Sequence, residues 1–266
     1  MHKPTDIGTN RTGIGTSPLD SRQTIKGAEE AGTIGTLDGK AFEAERVSWA
    51  RNAEPVGTLP PPATVKGMVK TVVELVEGHK PTVFIDKLGE RLAYERTGTR
   101  LYEALLAKYE AAEVHVGGPS RQELEQIRDD ERNHVILVKE AMEYIGADPT
   151  AMTPGADIVG VAGSGWVQVL TDPRTTFTQC LDVILMAELT DVDSWTMLVE
   201  LAGGLGFDDL ADQFRTALVN EEDHLVRVRG WLTAAVLGQS GVAPTAEDDE
   251  SDISDLEDED DEADNG

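Results

Sequence analysis

The sequence predicts an all-α protein whose core is an antiparallel four-helix bundle. Three observations support this prediction. Four long stretches carry apolar residues at three- and four-residue steps, which is the period of an amphipathic helix. Short turns join the first stretch to the second and the third to the fourth, whereas a long crossover joins the second to the third. Glutamates and histidines recur near the middle of these stretches, where core residues are expected.

Composition divides the chain into three parts. Residues 1–63 are predicted to form a flexible arm rich in Gly, Thr and Pro, and residues 1–40 show no helical period. Residues 64–243 are predicted to hold the bundle and a short leading helix at 64–77. Residues 244–266 are predicted to form a disordered acidic tail, because so polar a segment cannot bury enough apolar surface to become ordered.

The first long helix is predicted from about Thr82 to about Ala112. One face of it carries Leu88, Leu92, Glu95, Thr99, Tyr102 and Leu106. The second helix is predicted to begin after Ser120, because Ser120 and Glu123 match the Ser-x-x-Glu capping box. It is predicted to end at Gly146, after a face formed by Leu124, Ile127, Glu131, His134, Val138, Ala141 and Ile145.

Residues 147–173 are rich in Gly and Pro and lack a helical pattern throughout, so they are predicted to form the crossover. The third helix is predicted to open at Thr171 or Asp172, ahead of Pro173, and to close at Gly203–Gly204. The fourth is predicted from about Asp208 to Gly238. These two helices carry Glu188, Glu221 and His224 on their core faces.

Two Glu-x-x-His units, Glu131–His134 and Glu221–His224, are the strongest chemical signal. Residues three apart share one face of a helix, so each unit directs a carboxylate and an imidazole to one point. Glu95 precedes Glu131 by 36 residues, and Glu188 precedes Glu221 by 33. In neighbouring antiparallel helices this spacing places the two residues of each pair at the same depth. Four carboxylates and two imidazoles are the ligand set of two metal ions inside a bundle.

A coincidence of surface residues is the competing interpretation, because a single Glu-x-x-His in a charged helix is usually solvated. The chain has five histidines, and the two that lie in predicted long helices both follow a glutamate by three residues. That repetition favours a binding site in the interior over a coincidence of surface residues.

The pattern resembles the ferritin-like superfamily of dimetal carboxylate proteins, which includes bacterioferritins, rubrerythrins and manganese catalases. The resemblance covers about residues 82–238 and implies a role for each ligand. Glu95 and His134 would be terminal ligands of one metal, Glu188 and His224 those of the other, and Glu131 and Glu221 would bridge the two. The complete rubrerythrin pattern is excluded, since the chain has no Cys-x-x-Cys pair.

Asp130, directly before Glu131, resembles the aspartate that orients a ligand imidazole through its free N–H in such motifs. The equivalent residue before Glu221 is Asn220, so the surroundings of the two metals are expected to be asymmetric.

The donor chemistry indicates two iron or two manganese ions per chain, with iron favoured. Four buried carboxylates repel one another unless they are protonated or neutralised, and two divalent cations balance their charge. Oxygen and imidazole ligands suit iron or manganese, whereas thiolates suit zinc. Tyr102 is a candidate catalytic residue as a redox or proton-donating neighbour, although core packing is the commoner role. Asp191 is expected to be a surface acid rather than an extra ligand.

Charge and cysteine content limit the partners. The formal net charge is −27, and residues 247–264 contribute thirteen acidic residues without a Lys or Arg. Nucleic acid and anionic membranes are therefore not expected as partners, whereas cations are. A single cysteine and the lack of a long apolar run near the N-terminus favour a cytoplasmic location.

The leading functional hypothesis is an oxidoreductase that uses O2 or peroxide at a dimetal site. Ferroxidase activity with iron storage is a second, which would need assembly into a cage or delivery into another shell. The third is a non-enzymatic structural or metal-buffering bundle. A homo-oligomer is compatible with each.

Overall fold

The computed structural model describes residues 9, 13, 15, 17–31, 39–61, 81–112 and 117–242. Within these residues the protein contains seven helices and no strand, which confirms the all-α prediction. The helices are α1 Pro18–Glu30, α2 Gly39–Asn52, α3 Pro81–Ala111, α4 Arg121–Ile145, α5 Pro154–Thr171, α6 Phe177–Gly204 and α7 Asp208–Ser240. The leading helix predicted at 64–77 and the acidic tail at 244–266 lie outside the described residues.

Helices α1 and α2 lie in the segment predicted to be a flexible arm. Neither helix buries a residue, and their large apolar side chains, such as Ile25 and Trp49, are exposed. The first turn of α1 contains Pro18, whose fixed φ suits that position. The prediction that residues 1–40 lack helical structure is therefore wrong for Pro18–Glu30.

The ends of α4 follow from its sequence. Ser120 accepts a hydrogen bond from the backbone N–H of Glu123, and the Glu123 carboxylate accepts one from the Ser120 backbone, which forms the predicted capping box. Gly146 ends the helix with φ 85°, a left-handed conformation that glycine adopts without steric cost.

The connection between α4 and α6 is long, as predicted, but it contains the helix α5. Thr153 caps the N-terminus of α5, and Pro154 occupies its first turn. The glycines that suggested a loop allow close packing instead. A Cβ added at Gly155 would lie 2.9 Å from Glu90 Oε2, and one at Gly163 would lie 3.4 Å from Thr97 Cγ2, so both glycines let α5 approach α3.

The third long helix begins later than predicted. Asp172 accepts hydrogen bonds from the backbone N–H and the guanidinium of Arg174, which makes a turn where the sequence predicted a helix start. Thr176 and Gln179 then form a capping box ahead of Phe177.

Packing places a polar layer between two apolar clusters. Helix α3 packs against α4, α5 and α6, while α7 packs against α6 and α4. One cluster includes Phe84, Leu88, Val138, Trp195 and Phe214, and the other includes Leu105, Ile127, Ile184, Val228 and Trp231. The predicted ligands occupy the helix positions between these clusters. Among the described helices, none has both the length and the apolar character needed to cross a bilayer.

Candidate metal centre

The six predicted ligands come together in the interior. They are supplied by α3, α4, α6 and α7, and each is at most 3% exposed: Glu95, Glu131, His134, Glu188, Glu221 and His224. The surface interpretation of the two Glu-x-x-His units is therefore wrong. Their roles as ligands remain a prediction.

One group of potential ligands consists of Glu95, His134 and Glu221. Each offers an atom within 4.8 Å of the others. His134 Nδ1 lies 2.7 Å from Glu221 Oε1 and 3.8 Å from Glu95 Oε2. The imidazole therefore presents Nδ1 to the carboxylates.

The second group consists of Glu131, Glu188, Glu221 and His224, again with atoms within 4.8 Å of one another. His224 Nδ1 lies 3.1 Å from Glu221 Oε2 and 3.9 Å from both Glu131 Oε1 and Glu188 Oε2. Glu221 belongs to both groups and directs one oxygen to each histidine. This is the arrangement that the bridging role of Glu221 requires.

Unsatisfied oxygens show how the site fits a cation. Among the described residues, no group donates a hydrogen bond to Oε2 of Glu131 or Oε2 of Glu188. A buried carboxylate oxygen without a partner is strongly unfavourable. Metal ions are the partners that a set of carboxylates and neutral imidazoles suits, so the donor set fits the predicted group.

Burial and charge set the protonation of the carboxylates. Burial raises the pKa of Glu188 to about 8, and the negative charge of Glu221 contributes. The pKa of Glu131 is raised well above its usual range by the same two causes. Burial acts to raise the pKa of Glu221 too, but hydrogen bonds with His134 and His224 lower it to about 2. Without cations, therefore, Glu221 stays ionised while Glu131 and Glu188 favour the protonated form.

Asp130 lies beside the imidazole of the opposite unit. Its Oδ2 is 3.4 Å from His224 Nε2, on the ring edge remote from the carboxylates. Burial acts to lower the pKa of His224, but contacts with Asp130 and Glu221 raise it to about 10. Asn220 is half-buried at the equivalent position of α7. No hydrogen bond to His134 Nε2 is present among the described residues, so the two imidazoles differ in their surroundings.

Tyr102 reaches the site although it is part of the core. Its side chain is 1% exposed and its hydroxyl donates a hydrogen bond to Glu188 Oε1. This contact leaves Oε2 as the free oxygen of Glu188. The catalytic role suggested for Tyr102 remains a prediction, but its hydroxyl lies next to the carboxylate of Glu188.

Asp191 is buried, which corrects the expectation that it lies on the surface. It is 2% exposed, and its Oδ1 lies 2.7 Å from Nη2 of Arg91. Arg91 is equally buried, and its Nε lies 2.7 Å from Glu95 Oε1. Sequence reasoning missed Arg91. The sequence signal that could have identified Arg91 is its place one turn before Glu95, next to Leu88 and Leu92 on the core face of the helix.

Gly98 was also missed. A Cβ added at this position would overlap Glu131 Oε2 and lie 2.9 Å from Glu131 Cδ. Helix α3 therefore has no side chain where the carboxylate of Glu131 enters the site. A glycine one turn after Glu95, inside a long helix, was the available sequence signal.

Comparison of the chain with protein-family models, with curated proteins and with solved structures finds no match. The residues and distances above are therefore the basis for a functional assignment.

Proposed function

We propose that this protein is a ferritin-like four-helix-bundle protein that holds two iron or manganese ions, with iron favoured, and acts as an oxidoreductase on O2 or peroxide. One observation carries the proposal. Four glutamates and two histidines from four helices converge in two overlapping groups that share Glu221. This is the composition of a dimetal carboxylate site.

Two features of the protein suit such a centre. The polar layer lies between two apolar clusters, so its buried carboxylates are not solvated by bulk water and need neutralising partners inside the protein. Arg91 and Tyr102 each occupy one oxygen of a terminal glutamate, Oε1 of Glu95 and Oε1 of Glu188, so the second oxygen of each remains for an ion. When bound, two adjacent redox metals would supply two electrons to O2 or peroxide.

Metal content is the first test. The full chain is reconstituted anaerobically with Fe2+ or Mn2+, dialysed, and measured by elemental analysis. We expect about two ions per chain. Glu222→Gln is a matched control, since Glu222 is exposed and adjacent to Glu221. Binding of less than half an ion per chain after reconstitution would refute the assignment of these residues to a metal site.

Turnover is the second test. Hydrogen peroxide is added to the reduced, metal-loaded protein with an excess of reductant, and peroxide consumption is followed. We expect sustained consumption that His134→Ala and His224→Ala abolish. Oxidation of many more iron ions than two per chain, with a retained mineral, would indicate storage instead. A single oxidation without mineral or turnover would leave the structural or metal-buffering function.

A further inference from the structure

The centre contains a fifth buried carboxylate, Asp191, one turn after Glu188 on α6. It forms a third group with Glu95, Glu131 and Glu221, whose oxygens lie within 4.8 Å of one another. No histidine belongs to this group. It is therefore a potential cation position that differs in composition from the two groups containing His134 and His224.

A cation of the protein already lies at this third group. Arg91 bridges two of its four acids, with Nε 2.7 Å from Glu95 Oε1 and Nη2 2.7 Å from Asp191 Oδ1. The guanidinium carbon lies 4.2 Å from the ring centroid of Tyr94 and 5.6 Å from that of Trp195. Two ion pairs and two aromatic faces fix the guanidinium in place.

Charge balance explains why an arginine is buried here. The five buried carboxylates carry five negative charges when ionised, and two divalent cations supply only four positive ones. The guanidinium supplies the fifth and remains charged at any physiological pH. With Arg91 and two divalent ions, the buried layer is neutral, which is the state that a low-dielectric interior favours.

We propose that Arg91 serves as a resident third cation that restricts the carboxylate cluster to two divalent ions. This inference rests on the proposed two-metal function. Arg91 is a positioning residue: it occupies the oxygens that a third ion would need and keeps Glu95 Oε1 away from the metals, while Glu95 Oε2 faces His134.

The test counts ions rather than turnover. Full-length protein is equilibrated with Mn2+ by dialysis, bound metal is measured by elemental analysis, and free Mn2+ is measured by electron paramagnetic resonance. We expect two ions in the wild-type protein and three in Arg91→Gln, the third being the weakest. Arg91→Lys retains the charge and should bind two. Arg91→Gln combined with Asp191→Asn removes both charges and should return the count to two.

The outcomes separate the inference from the proposed function. Two ions in the wild-type protein and two in Arg91→Gln would overturn the role of Arg91 and leave the two-metal function standing. A wild-type protein that does not bind two ions would refute the function itself. If Arg91→Gln does not fold, Asp191→Asn decides. The guanidinium then keeps only Glu95 as an ion-pair partner, the layer with two divalent ions carries one excess positive charge, and the second Mn2+ should bind at least about tenfold more weakly. Unchanged affinity in that variant would overturn the inference.

Discussion

Gly98 of α3 lies directly against the carboxylate of Glu131 of α4. A Cβ at position 98 would occupy the space of Glu131 Oε2, so the absence of a side chain on one helix is what admits the carboxylate from the other. The relationship links backbone packing to the candidate metal centre: the same approach of α3 and α4 that fills the core also sets the place of the Glu131 carboxylate.

The first prediction concerns this contact. In Gly98→Ala the methyl group must displace Glu131, so we expect metal affinity to fall by at least about tenfold. Alanine is intrinsically favoured over glycine in a helix by about 1 kcal/mol, and that gain should not restore the metal. Isothermal titration calorimetry with Mn2+ measures the change in metal affinity.

Gly230→Ala is the matched control. Gly230 lies in the interior of α7, is exposed, and has no heavy atom within 4 Å of an added Cβ. We expect unchanged metal binding and a gain in the free energy of unfolding of about 0.5 to 1 kcal/mol. Equal metal affinity in the two alanine variants would show that Glu131 can move without losing its function.

The second prediction distinguishes bridging from terminal carboxylates. Glu221 contacts both imidazoles, at 2.7 Å from His134 Nδ1 and 3.1 Å from His224 Nδ1. Glu221→Ala should therefore lose both ions. The bridging role that the resemblance implies for Glu131 predicts the same loss in Glu131→Ala, whereas Glu95→Ala should lose mainly one ion. Elemental analysis at equal free metal compares the variants, and equal residual occupancy in all three would contradict the bridging roles.

The third prediction concerns Asp130, whose Oδ2 lies 3.4 Å from His224 Nε2. A carboxylate in this position orients the ring and increases its basicity, so Asp130→Asn should weaken metal binding by about 10- to 100-fold. Asp129→Asn is the control, because Asp129 is exposed and pairs with Arg128. Similar affinities for the two variants would show that Asp130 does not support the ligand.

The convergence of the six candidate ligands was predictable because they obey the helical period. Glu131 and His134 share a face only in a helix. Acidic residues are rarely buried without a partner, so an acid at a core position of an apolar stripe indicates a site. Asp191 obeys the same period, since it lies three residues after Glu188, but it was assigned to the surface because an unpaired acid is rarely buried. Its ion-pair partner, Arg91, lies a hundred residues earlier in the chain and on another helix.

Glycine was the other source of error. Gly155 and Gly163 were interpreted as loop residues, since glycine is unfavourable in a helix interior. Their actual role is to let α5 lie close to α3, an effect of tertiary packing that local propensity does not contain. The short helices α1 and α2 were missed because the criterion was an apolar stripe that forms a core, and neither helix contributes a buried residue.

The last prediction concerns pH and the stability of metal-free protein prepared with a chelator. The pKa of Glu188 is about 8 against an ordinary 4.5, and that of His224 is about 10 against 6.5. The folded state therefore binds more protons than the unfolded state between about pH 4.5 and 10, and stability must fall as pH rises through this range. Glu221, with a pKa of about 2, acts in the opposite direction but only below about pH 4.5.

We therefore expect the free energy of unfolding of the metal-free protein to decrease by at least about 2 kcal/mol between pH 6 and pH 9, measured by urea denaturation. Glu188→Gln cannot ionise, so its stability should depend less on pH. Metal binding requires deprotonated carboxylates and neutral imidazoles, so affinity should rise over the same interval and the stabilisation by Mn2+ should be largest at pH 9. A metal-free protein that becomes more stable from pH 6 to pH 9 would show that Glu188 and His224 do not hold these protons in the folded state.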